Sequence, residues 1–92
     1  MSEFEKKHFK KKWVNSDALY MIGYNRRTKE KIIVVTIPWI AWYDVYFKLT
    51  EEEYEWHRTD LESLNDLAER LKVDKGCNFY KDRLLRNEGP TS

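Results

Sequence analysis

The segment Lys31–Ile37, Lys-Ile-Ile-Val-Val-Thr-Ile, constrains what this chain can fold into more than any other stretch. Its Ile and Val side chains are β-branched, and branching at Cβ suits the pleated surface of a sheet. They stand at consecutive positions, and successive residues of a strand point to opposite faces. The strand is therefore apolar on both sides and belongs in the middle of a sheet that is covered on both sides. Pro38 has no N–H for a ladder and marks the end of the strand or a bulge.

The flanking segments supply its neighbours. Residues 42–49 alternate: Tyr43, Val45, Phe47 and Leu49 face one way, Trp42, Asp44, Tyr46 and Lys48 the other. The first set reads as core; the second, half aromatic and half charged, reads as a partly exposed face. Upstream, Asp17–Tyr24 is rich in β-formers and ends at Asn25, and the polar stretch 25–30 reads as a hairpin loop. Three antiparallel strands with short connections follow.

Two helix starts come next. Thr50 with Glu53, and Thr59 with Glu62, are capping boxes, in which the hydroxyl accepts a backbone N–H and the acid reaches back. The spacing predicts one short helix over 51–57 and a second over 60–72, with Leu61, Leu64, Leu67, Ala68 and Leu71 as one apolar stripe against the sheet. After a turn at Gly76, a short strand over 79–85 is expected before the end frays. The N-terminal residues 2–14 fit two structures. Ser2 and Glu5 form a capping pattern, with Phe4, His8, Phe9 and Trp13 near one helical face, whereas Phe9, Lys11 and Trp13 also alternate as a strand would. The helix is the preferred reading. The expected fold is α+β: a three- to four-stranded antiparallel sheet with two or three helices packed on it. It forms a single domain over 1–92, with an arm (1–14), a sheet (17–49), a helical segment (50–73) and a C-terminal segment (76–92).

Composition removes many functions. A net charge of +1 from 17 Lys+Arg and 16 Asp+Glu gives no bulk attraction to nucleic acid or an anionic membrane. No apolar run approaches the ~20 residues of a membrane span. The N-terminal lysines precede no apolar stretch, so no secretory signal is expected, and with Cys77 alone no internal disulfide forms. The cytoplasm is the expected location. One Cys and two His are too few for a structural metal site, and Glu53 with His57, four apart, lacks a third ligand, so no metal and no cofactor are expected. Cys77 has no obvious base, and Gly23, Gly76 and Gly89 are too scattered to cradle a phosphate. No catalytic residue is assigned. A metal-independent ribonuclease needs only a His, a cation and a carboxylate, so His8 or His57 leaves that as a third reading.

Charge placement is more informative. Residues 1–13 and the loop 25–31 each carry +3, whereas 49–74 carry −6. One surface would be acidic: Glu51, Glu52, Glu55, Asp60, Glu62 and Asp66, with Trp42, Tyr46, Tyr54 and Trp56 as aromatic anchors for a basic partner protein. The alternative surface is basic: Lys10, Lys11, Lys12, Arg26 and Arg27 would track an RNA or DNA backbone while Phe9 and Trp13 stack on bases.

The layout, and the stretch Thr-Ile-Pro-Trp-Ile-Ala-Trp-Tyr-Asp-Val-Tyr-Phe-Lys-Leu-Thr-Glu-Glu-Glu-Tyr-Glu-Trp over 36–56, resemble the small bacterial immunity proteins of polymorphic toxin and contact-dependent growth inhibition systems. Those proteins share no universal motif, so no residue is carried over by position. The resemblance implies a non-enzymatic module that binds one cognate toxin, often a basic nuclease, and occludes its active site, with no membrane partner. An immunity protein for a nuclease is commonly acidic overall; this chain is near neutral, so such an interface would rest on the acidic half alone.

Overall fold

Residues 6–38, 42–74 and 81–88 are described by the structure, a computed structural model. Among them the order is β1 (Phe9–Asn15), β2 (Tyr20–Asn25), β3 (Lys31–Pro38), β4 (Trp42–Leu49), α1 (Glu51–Thr59), α2 (Leu61–Asp74) and β5 (Leu84–Asn87), with 3-10 turns at Lys6–His8 and Lys81–Arg83. The strands form one antiparallel sheet in chain order, with the two helices inserted between neighbouring β4 and β5. The sheet thus has five strands, one or two more than the sequence predicts.

β3 is central, as its composition requires. Ile33, Val35 and Ile37 join Ile22, Val45 and Phe47 under the helices, where Tyr54 of α1 and Leu64, Leu67, Ala68 and Leu71 of α2 close the main core. Ile32 and Val34 point the other way and pack with Tyr46, Phe9, Met21 and Leu85. That second cluster corrects the reading of β4: Tyr46 lies on the side away from the helices, yet is only 2% exposed.

From Phe9 on, the arm is a strand and not a helix. Lys6–His8 makes one 3-10 turn and β1 then pairs with β2 along the sheet edge. Pairing to a ready-made neighbour outweighs a short helical pattern that has no partner to pack on; Ser2 and Glu5 lie outside the described residues. A bulge separates the register at Lys11 from that at Trp13. One extra residue inverts the alternation. Phe9 therefore sits edge-on to Tyr46, while Trp13 packs against Tyr20 and His57 on the helix side. Gly23 permits the close approach of β1, since a Cβ there would overlap the Lys10 carbonyl oxygen and lie 2.9 Å from Phe9 Cζ.

β2 begins at Tyr20 rather than Asp17, because Ser16–Leu19 form a turn in which Leu19 adopts φ 59°. A β-branched-free but bulky side chain in the left-handed region costs ~1–2 kcal/mol, and the turn is held from three sides. Ala18 N–H donates to Asn15 Oδ1 at 3.0 Å, Thr36 N–H to the Leu19 carbonyl at 2.9 Å, and Lys72 Nζ to the Ala18 carbonyl at 2.5 Å. The loop after Asn25 is the expected hairpin turn. Asn25 Oδ1 accepts from the N–H of Arg27 and Thr28, and Lys29 takes the left-handed position at φ 69°.

The Thr50–Glu53 capping box forms as read. The second does not. Thr59 closes α1, its hydroxyl donating to the Glu55 carbonyl, while Asp60 caps α2 by accepting from Ser63 N–H at 3.2 Å and Ser63 Oγ at 2.7 Å. A carboxylate at that junction is the better cap, and it leaves Thr59 helical. Leu61, in the first turn of α2, is 41% exposed and drops out of the apolar stripe. At the C-terminal side, Leu84–Asn87 pairs with β4; Cys77, Phe79 and Gly76 lie outside the described residues.

Candidate functional site

The outer surface of the helical pair gathers most of the acidic residues singled out above. The first turn of α1 holds Glu51, Glu52 and Glu53, where the positive end of the helix favours carboxylates. Glu51, Glu52, Asp60, Glu62 and Asp66 are exposed and Glu55 half-exposed. Glu55 hydrogen-bonds Arg58, and that guanidinium holds its carboxyl below the usual range. Glu53 is spoken for: its Oε1 accepts from the Thr50 N–H at 3.0 Å and from Arg83 at 2.8 Å, tying α1 to the turn before β5.

Between the helices runs an open groove of about 230 Å³, lined by Glu53 and Trp56 of α1 and by Ser63, Asp66, Leu67 and Arg70 of α2. Trp56 is half-buried, one part of its ring packed on the main core and the rest available to the groove. Both charge signs meet here, with Asp66 and Arg70 one helical turn apart. Of these, Trp56 and Asp66 are among the site residues expected from the sequence, and Glu53, Ser63, Leu67 and Arg70 are not. For the last three the signal was present in the 63, 66, 67, 70 spacing, which places one stripe of α2 beside its partner helix.

Three of the proposed anchors are not where an interface needs them. Tyr46 and Tyr54 are 2% and 8% exposed. Tyr54 is core: its phenol is raised by burial, Lys31 Nζ stands 4.7 Å from its ring centroid, and its carbonyl lies 2.7 Å from His57 Nδ1. Trp42 is well exposed, at 65%, but its strand position places it with Tyr46 on the side of the sheet away from the helices. There it borders a separate open cleft of about 210 Å³ with Val14, Leu19, Met21 and Thr36. Trp42 and Trp56 therefore cannot serve one flat interface.

On the basic side, Lys10, Lys11, Lys12, Arg26 and Arg27 are all exposed. The rings meant to accompany them are not free to stack on bases. Phe9 is turned into the small cluster and Trp13 into the main core, because the bulge at Lys12 sends them to opposite faces. His8 and His57 sit apart: the His8 carbonyl accepts from Arg26 N–H at the hairpin, while His57 lies among Trp13 and Tyr54. Among the described residues, no group of three or more His, Cys, Asp or Glu could hold a metal ion, and no helix is long and apolar enough to cross a membrane. No family model, curated protein or solved structure matches this chain, so its placement rests on its own geometry.

Proposed function

We propose that the chain is a non-enzymatic protein-binding module of the cytoplasm, acting as the immunity proteins it resembles do, by covering the working surface of a cognate toxin. The observation that carries this reading is the groove between α1 and α2, in which the Trp56 ring and Leu67 form an apolar floor bordered by Glu53, Asp66 and Arg70, with the exposed Glu62 elsewhere, in the first turn of α2. A half-exposed Trp in a concave site ringed by charge has the chemistry of an interface hot spot. The acids steer a basic partner to it and the indole holds the complex. Glu51, Glu52 and Asp60 extend the negative field around the groove; Tyr46, Tyr54 and Trp42 take no part.

The test is capture of the partner from nuclease-treated lysate of the source cell, followed by binding kinetics on the purified pair. One stoichiometric protein is expected. Reversing Glu52, Glu62 and Asp66 to Lys should slow its association at low salt by about tenfold or more, and Trp56→Ala should speed dissociation. An on-rate indifferent to the three reversals would sink the acidic-face reading. The triple Lys10→Gln, Lys11→Gln, Lys12→Gln variant should bind the partner as the unaltered chain does.

A further inference from the structure

A second surface stands apart from the groove. Ion pairs join Glu55 to Arg58, Glu69 to Lys72, Glu53 to Arg83, Glu88 to Arg86 and Glu30 to Lys48. Among the described residues, no carboxylate lies within ion-pair distance of Lys10, Lys11, Lys12, Arg26 or Arg27. These five cations also sit on neighbouring stretches of backbone at one edge of the sheet. The bulge at Lys12 leaves three successive lysines exposed along the β1 edge, and the hairpin turn is bonded to the start of that strand by Arg26 N–H donating to the His8 carbonyl at 2.8 Å.

Lysines on an edge strand discourage pairing with another sheet. That accounts for Lys10 to Lys12 but not for two arginines on a turn, which offers no edge to protect. We infer that the β1 edge and the β2–β3 turn form a ridge that binds the phosphodiester backbone of a duplex nucleic acid without reading its sequence. Three features select this partner. The side chains are point-like and forked cations suited to phosphate. Among the described residues, Phe9 and Trp13 are packed on the two clusters and the half-buried Tyr24 ring, opposite Lys10, lies beneath Lys29 and Lys31, which leaves no well-exposed ring for the stacking that single strands need. Protein interfaces are depleted in Lys and built around aromatic anchors, and the ridge has the opposite make-up. The helical layer, at −6 over residues 49–74, repels the same ligand and so fixes which side of the molecule faces it. This inference does not rest on the protein-binding reading, and either can fail alone.

The test is fluorescence anisotropy of the full chain with short labelled DNA and RNA duplexes across a salt series, with polyglutamate as a third probe. Each phosphate contact contributes about 0.9 to the slope of log affinity against log salt, and sequence-independent binding lies at roughly 10⁻⁴–10⁻⁶ M. Removing two ridge charges, Arg26→Gln with Arg27→Gln, should lower that slope by about 2. Arg58→Gln with Arg86→Gln makes the same change in net charge at paired sites, and should leave the slope unchanged. The triple lysine variant is an independent check at exposed positions, and should weaken binding in both duplex arms. Binding of either duplex with this pattern supports the ridge. Equal slopes in the two arginine pairs, no duplex binding at low salt, or polyglutamate binding tighter than both duplexes would overturn it.

Discussion

The two faces of this sheet are covered by different means. The helix side is closed by a second layer: α2 lays Leu64, Leu67, Ala68 and Leu71 across Ile33, Val35 and Phe47, giving a core between two rigid surfaces. The other side closes Ile32 and Val34 with side chains of the sheet itself, Phe9, Met21, Tyr46 and Leu85. Both edge strands contribute through irregularities. β1 bulges at Lys12, and β5 shifts register between its pairings with Tyr46 and Phe47, where Leu85 is the extra residue. Bulges re-aim side chains, and here they bring apolar groups from the edges over the middle of the sheet. A central strand can thus be dry on both faces while, among the described residues, helices cover only one.

A matched pair of truncations tests that contrast with the largest expected effect. Ile32 and Ile33 are adjacent, fully buried and chemically identical. Ile33→Ala opens a cavity between two layers that cannot collapse, and should cost about 4 kcal/mol. Ile32→Ala lies under Phe9 and Met21, which have room to settle, and should cost about 2 kcal/mol. Chemical denaturation of the two variants measures both; equal losses would mean the single-layer face is as rigid as the helix-covered one.

The next effect concerns how the edge strand reaches its place. Gly23→Ala puts a Cβ into the Lys10 carbonyl and against the Phe9 ring, so β1 must move away from β2. Because the obstacle is backbone, the cost should be about 3 kcal/mol. Hydrogen exchange should show protection lost over Phe9–Asn15 and kept in β3 and β4. If protection in β1 survived, the close approach would not be what docks the strand.

How much of this was legible in the residues follows the same division. β3, β4 and the first capping box could be read because each depends on a local pattern: two-sided β-branching, alternation, and a hydroxyl three residues before an acid. The strand identity of Phe9–Asn15 could not, because it depends on β2 lying beside it and on a bulge that breaks the very period by which strands are recognised. Tyr46 was misjudged for a related reason. Its neighbours Asp44 and Lys48 mark a wet face, and only the long-range arrival of Phe9 and Leu85 dries it. At the candidate site, the charges were visible in sequence, whereas the groove was not, since it is a product of how α1 and α2 lean together. Asp60 won the second cap over Thr59 by a single residue, a choice between two competent caps that spacing alone leaves open.

Smaller effects probe the joint between the β1–β2 turn and α2. Asn65 Oδ1 accepts from Tyr20 OH at 2.5 Å and from Asn15 Nδ2 at 3.2 Å. Asn65→Ala leaves both donors short of a partner in a half-buried setting and should cost about 1.5 kcal/mol. Lys72→Met removes the donor to the Ala18 carbonyl while keeping much of the stem, and should cost about 1 kcal/mol. Thermal unfolding distinguishes them from a purely exposed change such as Glu62→Gln, which should leave the midpoint where it was; equal shifts in all three would show that this polar joint contributes nothing to holding the turn.

The single-layer face also has its own pH signature. Burial, then the nearby Glu88 and Asp44 carboxylates, push the Tyr46 phenol up from 10.0 to about 12, with Arg86 pulling the other way. Between those values the unfolded chain has given up this proton and the folded chain keeps it. Unfolding then releases a proton, so rising pH favours the unfolded state. The stability contributed by the neutral phenol is complete below about pH 10 and is lost as pH climbs through about 12. Tyr20 and Tyr54, on the helix side, are also raised by burial and add to the fall in the same direction. Tyr46→Phe should flatten the decline more than Tyr54→Phe does, because the Tyr46 phenol is the one pushed as far as about 12. Denaturation midpoints across that interval decide it: parallel curves for the unaltered chain and Tyr46→Phe would mean that this ring titrates as an ordinary exposed phenol and that the small cluster is open to water.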